Sequence, residues 1–283
     1  MTSTLWTPQR AATRLVRIAE TFSAAHRQPV YPINVEQLAL EAAGIFGWSD
    51  PITEVHSAPI KSFEGALFPD DDRKRWLLLY NESLTSRGRV RFTQAHELGH
   101  YILHRTQRES FQCSEADMLD WDDKNIEGQA DLFASYLLMP LEDFRRQITG
   151  TVDLDILGRC AERYGVSLTA ALLKWLSYTD EKAVVVMSND GFINWAWSSD
   201  PAFKAGIFFK TRCGPIAVPS ASLAADSSVR HHRTGIQNQA SIWFRHADPQ
   251  TPLREMKISA DQYNSTISLL LLPRSAEAWP PRR

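Results

Sequence analysis

The sequence predicts an α+β protein: a helix-rich first part with a small antiparallel sheet, a short helical pair, then a mixed, strand-rich C-terminal part. Three observations predict it. Apolar residues recur at helical spacing through most of the first 180 residues. Two short apolar runs, "SFEGALF" and "RWLLLYN", interrupt that pattern and are joined by the polar turn "PDDDRK". Past about residue 180 the texture changes to aromatic and β-branched runs separated by turns.

In order, residues 8–26 form an amphipathic helix with Leu15, Ile18, Ala19 and Phe22 on one face. A second helix covers 33–45 and ends at Gly44. The two strands follow, and "SRGRVRFTQAHELGHYILHR" enters a third helix. Residues 106–126 make a polar, acidic connection; "EGQADLFASYLLMP" is a helix that Pro140 stops. "LDILGRCAERYGVSLTAALLKWLSYT" gives two short helices around a turn at Gly165. "KAVVVMSNDGFINWAW" is a hairpin turning at "NDG". Apolar runs "AGIFFK", "SIWFRH" and "TISLLLLP" follow, with a polar loop "LAADSSVRHHRTGIQNQ" among them. The expected division is 1–150, a helical segment 151–180, and 181–283.

The 283 residues are 43% apolar and 23% charged, the balance of a globular chain rather than a disordered one. Thirty-one basic against 33 acidic residues give a net charge of -2, so no whole-protein field favours nucleic acid or an anionic membrane. No signal-like or membrane-spanning apolar run is read, and the chain is expected in the cytoplasm. Its three dispersed cysteines, Cys113, Cys160 and Cys213, fit a reducing compartment. Cys160, on the apolar side of its helix, is expected in the core.

The chemistry centres on "HELGH". His96 and His100 lie four apart, so a helix puts both imidazoles on one face, one turn from each other. Two such histidines can hold one Zn²⁺ while the carboxylate of Glu97 adjoins it as a proton acceptor, the pattern that metal-assisted peptide hydrolysis requires. A third ligand is expected on a later acidic helix. Glu127 opens such a helix and is assigned to the metal; Asp131, one turn on, is assigned to orient a ligand histidine through its other ring nitrogen. Asp131, Asp122 and Asp123 are the competing third ligands.

"RVRFTQAHELGHYILH" and "EGQADLFASYLLMP" together resemble the ImmA/IrrE family of bacterial metallopeptidases over roughly residues 10–180. The resemblance implies a zincin-like, gluzincin-type core with His96, His100 and Glu127 as zinc ligands and Glu97 as general base. It implies a partner substrate as well, a helix-turn-helix transcriptional repressor whose cleavage switches on stress or defence genes. The pair at 153–178 resembles the small helical domain of this family, and the region after 180 resembles the GAF-like sensory domain of its longer members. Among those, the arrangement is similar to the CapP-type members beside anti-phage CBASS operons, whose repressor is CapH-like. The long connection at 106–126 departs from many members, and Tyr136 stands where the family often has Glu.

Three further expectations complete the reading. Cys113, in that connection, is a candidate fourth zinc ligand that would hold the enzyme latent; otherwise it is a partly buried free thiol. "RWLLLYN" is the candidate edge strand to which substrate would add, unless it is an ordinary buried strand. Arg230, His231, His232, Arg233, Trp243 and Arg245 mix cations with an aromatic, a composition suited to single-stranded DNA or a small nucleotide effector, or else to a solvated loop before a core strand. The competing function is a non-hydrolytic DNA-binding regulator, with 153–178 as its helix-turn-helix; that pair carries only Arg159, Arg163 and Lys174 as cations. A toxin–antitoxin partner on a peptidase fold is opposed by the intact Glu97.

Overall fold

A computed structural model describes residues 6–59, 63–84, 86–106, 126–260 and 264–280, with the backbone alone of 111–113. The chain divides into two compact units, 1–147 with 160–167, and 148–159 with 168–283. Residues 151–180 are thus shared between the units.

In the first unit, α1 (Pro8–His26) starts at Thr7, whose hydroxyl caps the amide of Arg10, and α2 (Val35–Phe46) starts at Asn34, which caps Gln37. The buried face of α1 is Ala11, Ala12, Leu15 and Val16, so the expected stripe is rotated: Phe22 is 42% exposed and stacks on His26. Small alanines let neighbouring elements approach this face closely, and they outweigh the larger Phe22.

Three strands follow: β1 (Ile52–Ala58), β2 (Gly65–Pro69) and β3 (Trp76–Asn81). Next come α3 (Arg87–His104), the short β4 (Phe111–Cys113), α4 (Ile126–Leu138) and α5 (Leu141–Gln147). The sheet order among the described residues is β1-β3-β2-β4. β2 pairs antiparallel with β3 and β4, but β1 pairs parallel with β3. Two expectations change. The sheet is mixed rather than antiparallel, because "ITEVHSA" lacks clean alternation and hides a strand. β3 is internal, flanked by β1 and β2, so it offers no free edge. Its residues Trp76 and Leu78 are buried accordingly.

α3 and α4 cross closely at Gly99. A Cβ there would meet Phe133 Cδ1 at 3.0 Å and the Cα of Ala130 at 3.2 Å. α6 (Leu154–Tyr164) ends before Gly165, which takes φ 62°, a left-handed value that glycine adopts without strain. Cys160 is 1% exposed, in the core as expected.

The second unit carries α7 (Leu168–Leu176), then β5 (Lys182–Asn189) and β6 (Phe192–Ser198), a hairpin turning at Asp190 and Gly191. After α8 (Asp200–Lys204) and β7 (Ile216–Ala217) come β8 (His231–Gln239), α9 (Ala240–Trp243), β9 (Pro252–Ala260) and β10 (Ser265–Leu272). Every pairing in the sheet β7-β6-β5-β10-β9-β8 is antiparallel. Two local readings change here. The polar stretch at 231–239, read as a loop, is a strand, and "SIWF", read in one alternative as a core strand, is a helical turn. The apolar run "AGIFFK" forms no strand, and its Ile207 is fully buried. An edge strand can be polar because only one of its ladders is paired.

Candidate metal centre

The helix bearing the two histidines is fixed at both ends. At its start Ser86 caps the amide of Arg89, and the Arg89 guanidinium is paired with the carboxylate of Glu64, which is 6% exposed and precedes β2. Arg91 Nη1 donates to the carbonyl of Ile33 (3.1 Å). At its end Tyr101 donates to the carbonyl of Asp50 (2.8 Å), and Arg105 donates to the Asp50 carboxylate (3.0 Å) while stacking 3.4 Å over Trp48. The arginines of "RVRF" are thus positioning residues, which spacing alone did not reveal.

Between those anchors the polar side chains converge. His96 Nε2 lies 2.9 Å from His100 Nε2, and each is 3.2 Å from Glu127 Oε2. Both histidines are fully buried; Glu127 is partly exposed. With Nε2 turned into the cluster, His96 carries its proton on Nδ1 and donates to Asp131 Oδ1 (2.8 Å), itself fully buried. On the same logic His100 donates through Nδ1 to His104 Nδ1 (3.2 Å), and His104 donates through Nε2 to Gln129 Oε1 (3.3 Å). His104 therefore orients His100 as Asp131 orients His96. The i, i+4 repeat His96–His100–His104 is the signal that finds it.

Electrostatics favour a cation in the cluster. Burial pushes His100 down to about 3, so its imidazole is neutral, the form that binds a metal. Burial alone would raise Glu127, but its contacts with His100 and His96 hold its carboxyl below the usual range. A neutral imidazole beside an ionised carboxylate belongs to the donor set zinc takes.

Spacing passes the same test. The three donor atoms lie within 4.8 Å of one another. Ligands about 2.0–2.1 Å from a tetrahedral zinc stand roughly 3.3 Å apart. The observed 2.9–3.2 Å separations are within a few tenths of that.

Glu97 is fully buried, on the helix that carries both histidines and against β2. His96, His100, Glu127 and Asp131 are thus brought together, with Glu97 on the same helix as the two histidines. Asp122 and Asp123 lie outside the described residues. So does the side chain of Cys113, whose backbone in β4 pairs with Gly65.

The expected effector residues do not form one site. On β8, His231 and Arg233 are exposed and His232 is half-buried. Arg233 pairs with Asp155 at 3.6 Å. Arg245 is exposed and donates to His246. Trp243 is 5% exposed and packs in the core with Phe209, at the wall of a cleft that Arg245 also lines and away from Arg230, which lines another.

One family model covers the residues of this cluster. Residues 50–176 match a peptidase family model described as "IrrE N-terminal-like domain". No curated protein matches the chain. Among solved structures, a Mycobacterium tuberculosis transcriptional regulator is similar, with 15% identity and a TM-score of 0.46, over 91% of this chain and 87% of that chain. Among the described residues no helix is long and apolar enough to cross a membrane.

Proposed function

We propose that this chain is a zinc metalloendopeptidase that cleaves a partner helix-turn-helix repressor, CapH-like in kind, in response to a stress or DNA-damage signal. The carrying observation is the convergence of His96, His100 and Glu127 on one point, with Glu97 on the same helix. The match of residues 50–176 to a peptidase family supports it.

His96 and His100 would hold the zinc from α3 and Glu127 from α4. When bound, zinc supplies Lewis-acid polarisation of the scissile carbonyl. Glu97 takes the proton from the attacking water and returns it to the leaving amine. Asp131 and His104 keep the two imidazoles in the metal-binding tautomer. Burial of the site keeps bulk water from the proton transfer.

Cys113 holding the enzyme latent is supported by backbone register: it is paired with Gly65, and Gly65 lies against Glu97. Faster unstimulated cleavage by Cys113→Ala is the expected result. The second unit is proposed as a GAF-like sensory domain, a reading supported by the run β6-β5-β10-β9-β8 of its antiparallel sheet. Its signal would be single-stranded DNA or a small nucleotide. The DNA-binding alternative is weakened by the cations of 153–178: Arg163 is paired with Asp143 at 3.0 Å and Lys174 is 2% exposed.

Co-expression with the repressor encoded beside this gene tests the proposal, comparing wild type with Glu97→Gln, with and without single-stranded DNA. Cleavage that requires Glu97 establishes the peptidase. A rise with DNA assigns the signal. No cleavage by metal-loaded protein under any condition rejects the enzyme reading.

A further inference from the structure

The outer face of α1 carries cations and no acids. Arg10, Arg14 and Arg17 stand at i, i+4 and i+7, so they fall in one row, and all three are exposed. The row lies opposite the face that Ala11, Ala12, Leu15 and Val16 bury. At about 1.5 Å per residue it is roughly 10 Å long. Residues 6–19 hold no acid, although the whole chain has more acids than bases, 33 against 31. A cleft of about 640 Å³ runs along the row, lined by the three arginines with Trp6 and Ile18, and none of its lining residues is acidic. Acids begin only past Arg17. Glu20 accepts from the Tyr31 hydroxyl (3.4 Å), and Arg17 lines a second cleft with Glu20, Glu142 and Asp143.

Two of the guanidinia are held in place. Arg14 Nη2 donates to the carbonyl of Ile45 (2.7 Å), and its guanidinium lies 5.6 Å from the centre of the Trp6 ring and 5.5 Å from that of Phe46. Arg10 lies 5.8 Å over Trp6, which meets Phe46 edge-on at 5.0 Å. Among the described residues neither Arg10 nor Arg17 makes a side-chain hydrogen bond or ion pair. Surfaces normally intersperse both signs of charge. A row of one sign, built from planar forks partly fixed in advance, matches carboxylates.

The chemistry of the partner follows from what the row presents. Unpaired bases need open ring faces on which to stack, and guanidinia already lie over Trp6 and Phe46. The net charge of -2 supplies no long-range field for a polyanion. A membrane surface needs an apolar helix face to insert, and that of α1 is buried. A second helix has the same rise per residue, so acids at i, i+4 and i+7 on it meet all three arginines at once. Same-side residues of a strand stand about 6.8 Å apart and fall out of step with the row.

We infer that this row docks a helix of a protein partner that presents Asp or Glu at i, i+4 and i+7. None of its residues belongs to the metal cluster, and the inference does not rest on the peptidase reading, because its readout is binding and not cleavage.

Fluorescence polarisation with the full-length protein tests it, using a labelled helical peptide that carries Glu at those three positions and its Gln counterpart. The Glu peptide should bind about fivefold to tenfold tighter, as three exposed ion pairs allow. The difference should vanish near 1 M salt, where the Debye length is about 3 Å. Arg10→Glu combined with Arg17→Glu removes two exposed side chains that have no hydrogen bond to lose. It should abolish the preference, leave the melting temperature unchanged and shift binding to a Lys peptide, an exchange of sign that a structural role for the arginines would not produce. The inference is overturned if the Glu and Gln peptides bind alike, or if the double variant still prefers Glu. It is overturned equally if that variant costs the binding of oligodeoxythymidine or of phosphatidylglycerol vesicles more than that of the Glu peptide. Should the double variant fail to fold, Arg10→Gln with Arg17→Gln replaces it, and a preference for Glu retained there overturns the inference.

Discussion

Gly65 and Glu97 are in contact with no room for a side chain between them: a Cβ on Gly65 would stand 2.7 Å from Glu97 Oε1 and 2.5 Å from Thr93 Cγ2. The backbone of β2 therefore sets where the carboxylate can lie. Gly65→Ala should push Glu97 out of position and lower repressor cleavage about a hundredfold, within the range a general base contributes. Zinc content by elemental analysis should stay at the wild-type level. Cleavage within a factor of two of wild type would show that Glu97 does not depend on this contact.

Asp131→Asn keeps the size of the side chain but weakens its hold on the His96 ring. Zinc affinity should fall by about 10- to 100-fold, as for other partners of a metal-ligating histidine. His104→Leu should act in the same direction through His100. Competition with a chromophoric chelator measures both, and an unchanged zinc affinity in either variant removes that residue from the site.

Glu64 and Arg89 join the lead into β2 to the first turn of α3, and the Glu64 side chain is 9% exposed. Glu64→Gln removes the carboxylate charge that faces Arg89. Because Arg89 keeps 35% of its side-chain surface, solvent offsets part of the loss. Urea unfolding should show a destabilisation of about 1–3 kcal/mol. A change below about 0.5 kcal/mol, typical of a surface substitution, would count against the pair as an anchor.

Lys174 gives the stability a pH dependence of known sign. Burial lowers its pKa from 10.5 to about 7. Between those values the unfolded chain keeps the proton and the folded one does not, so stability rises with pH through this window. Below about pH 7 both states are protonated and the full cost of burying the ammonium remains. Lys174→Met should therefore be more stable than wild type at pH 6 and converge with it toward pH 9–10. Urea midpoints across that range decide it; parallel curves for the two proteins would refute the assignment.

The candidate cluster was partly legible in short-range periodicity: His96 and His100 share a face of one helix, and Glu127 and Asp131 stand one turn apart on another, but the spacing left Asp131, Asp122 and Asp123 as competitors to Glu127. The hairpin at Asp190 and the strand ending in "SLLLL" were legible for the same reason. What depends on partners far away in the chain was not. β3 is internal because β1, a run with no strand-like alternation, pairs beside it in parallel. Residues 231–239 form a strand on pairings with β9 that their polar composition does not announce. Lys257 could not be read as buried, since "REMKIS" carries no mark of which face turns inward.

The close crossing of α3 and α4 at Gly99, Ala130 and Phe133 bears on the geometry of this site. That contact sets how far apart the helices bearing His96, His100 and Glu127 stand, and a single methyl at Gly99 would force them apart. The segment between His104 and Ile126 is tied to the same frame, because its strand β4 pairs with β2 at Gly65. A change in either the crossing or that pairing therefore reaches the same cluster from two sides.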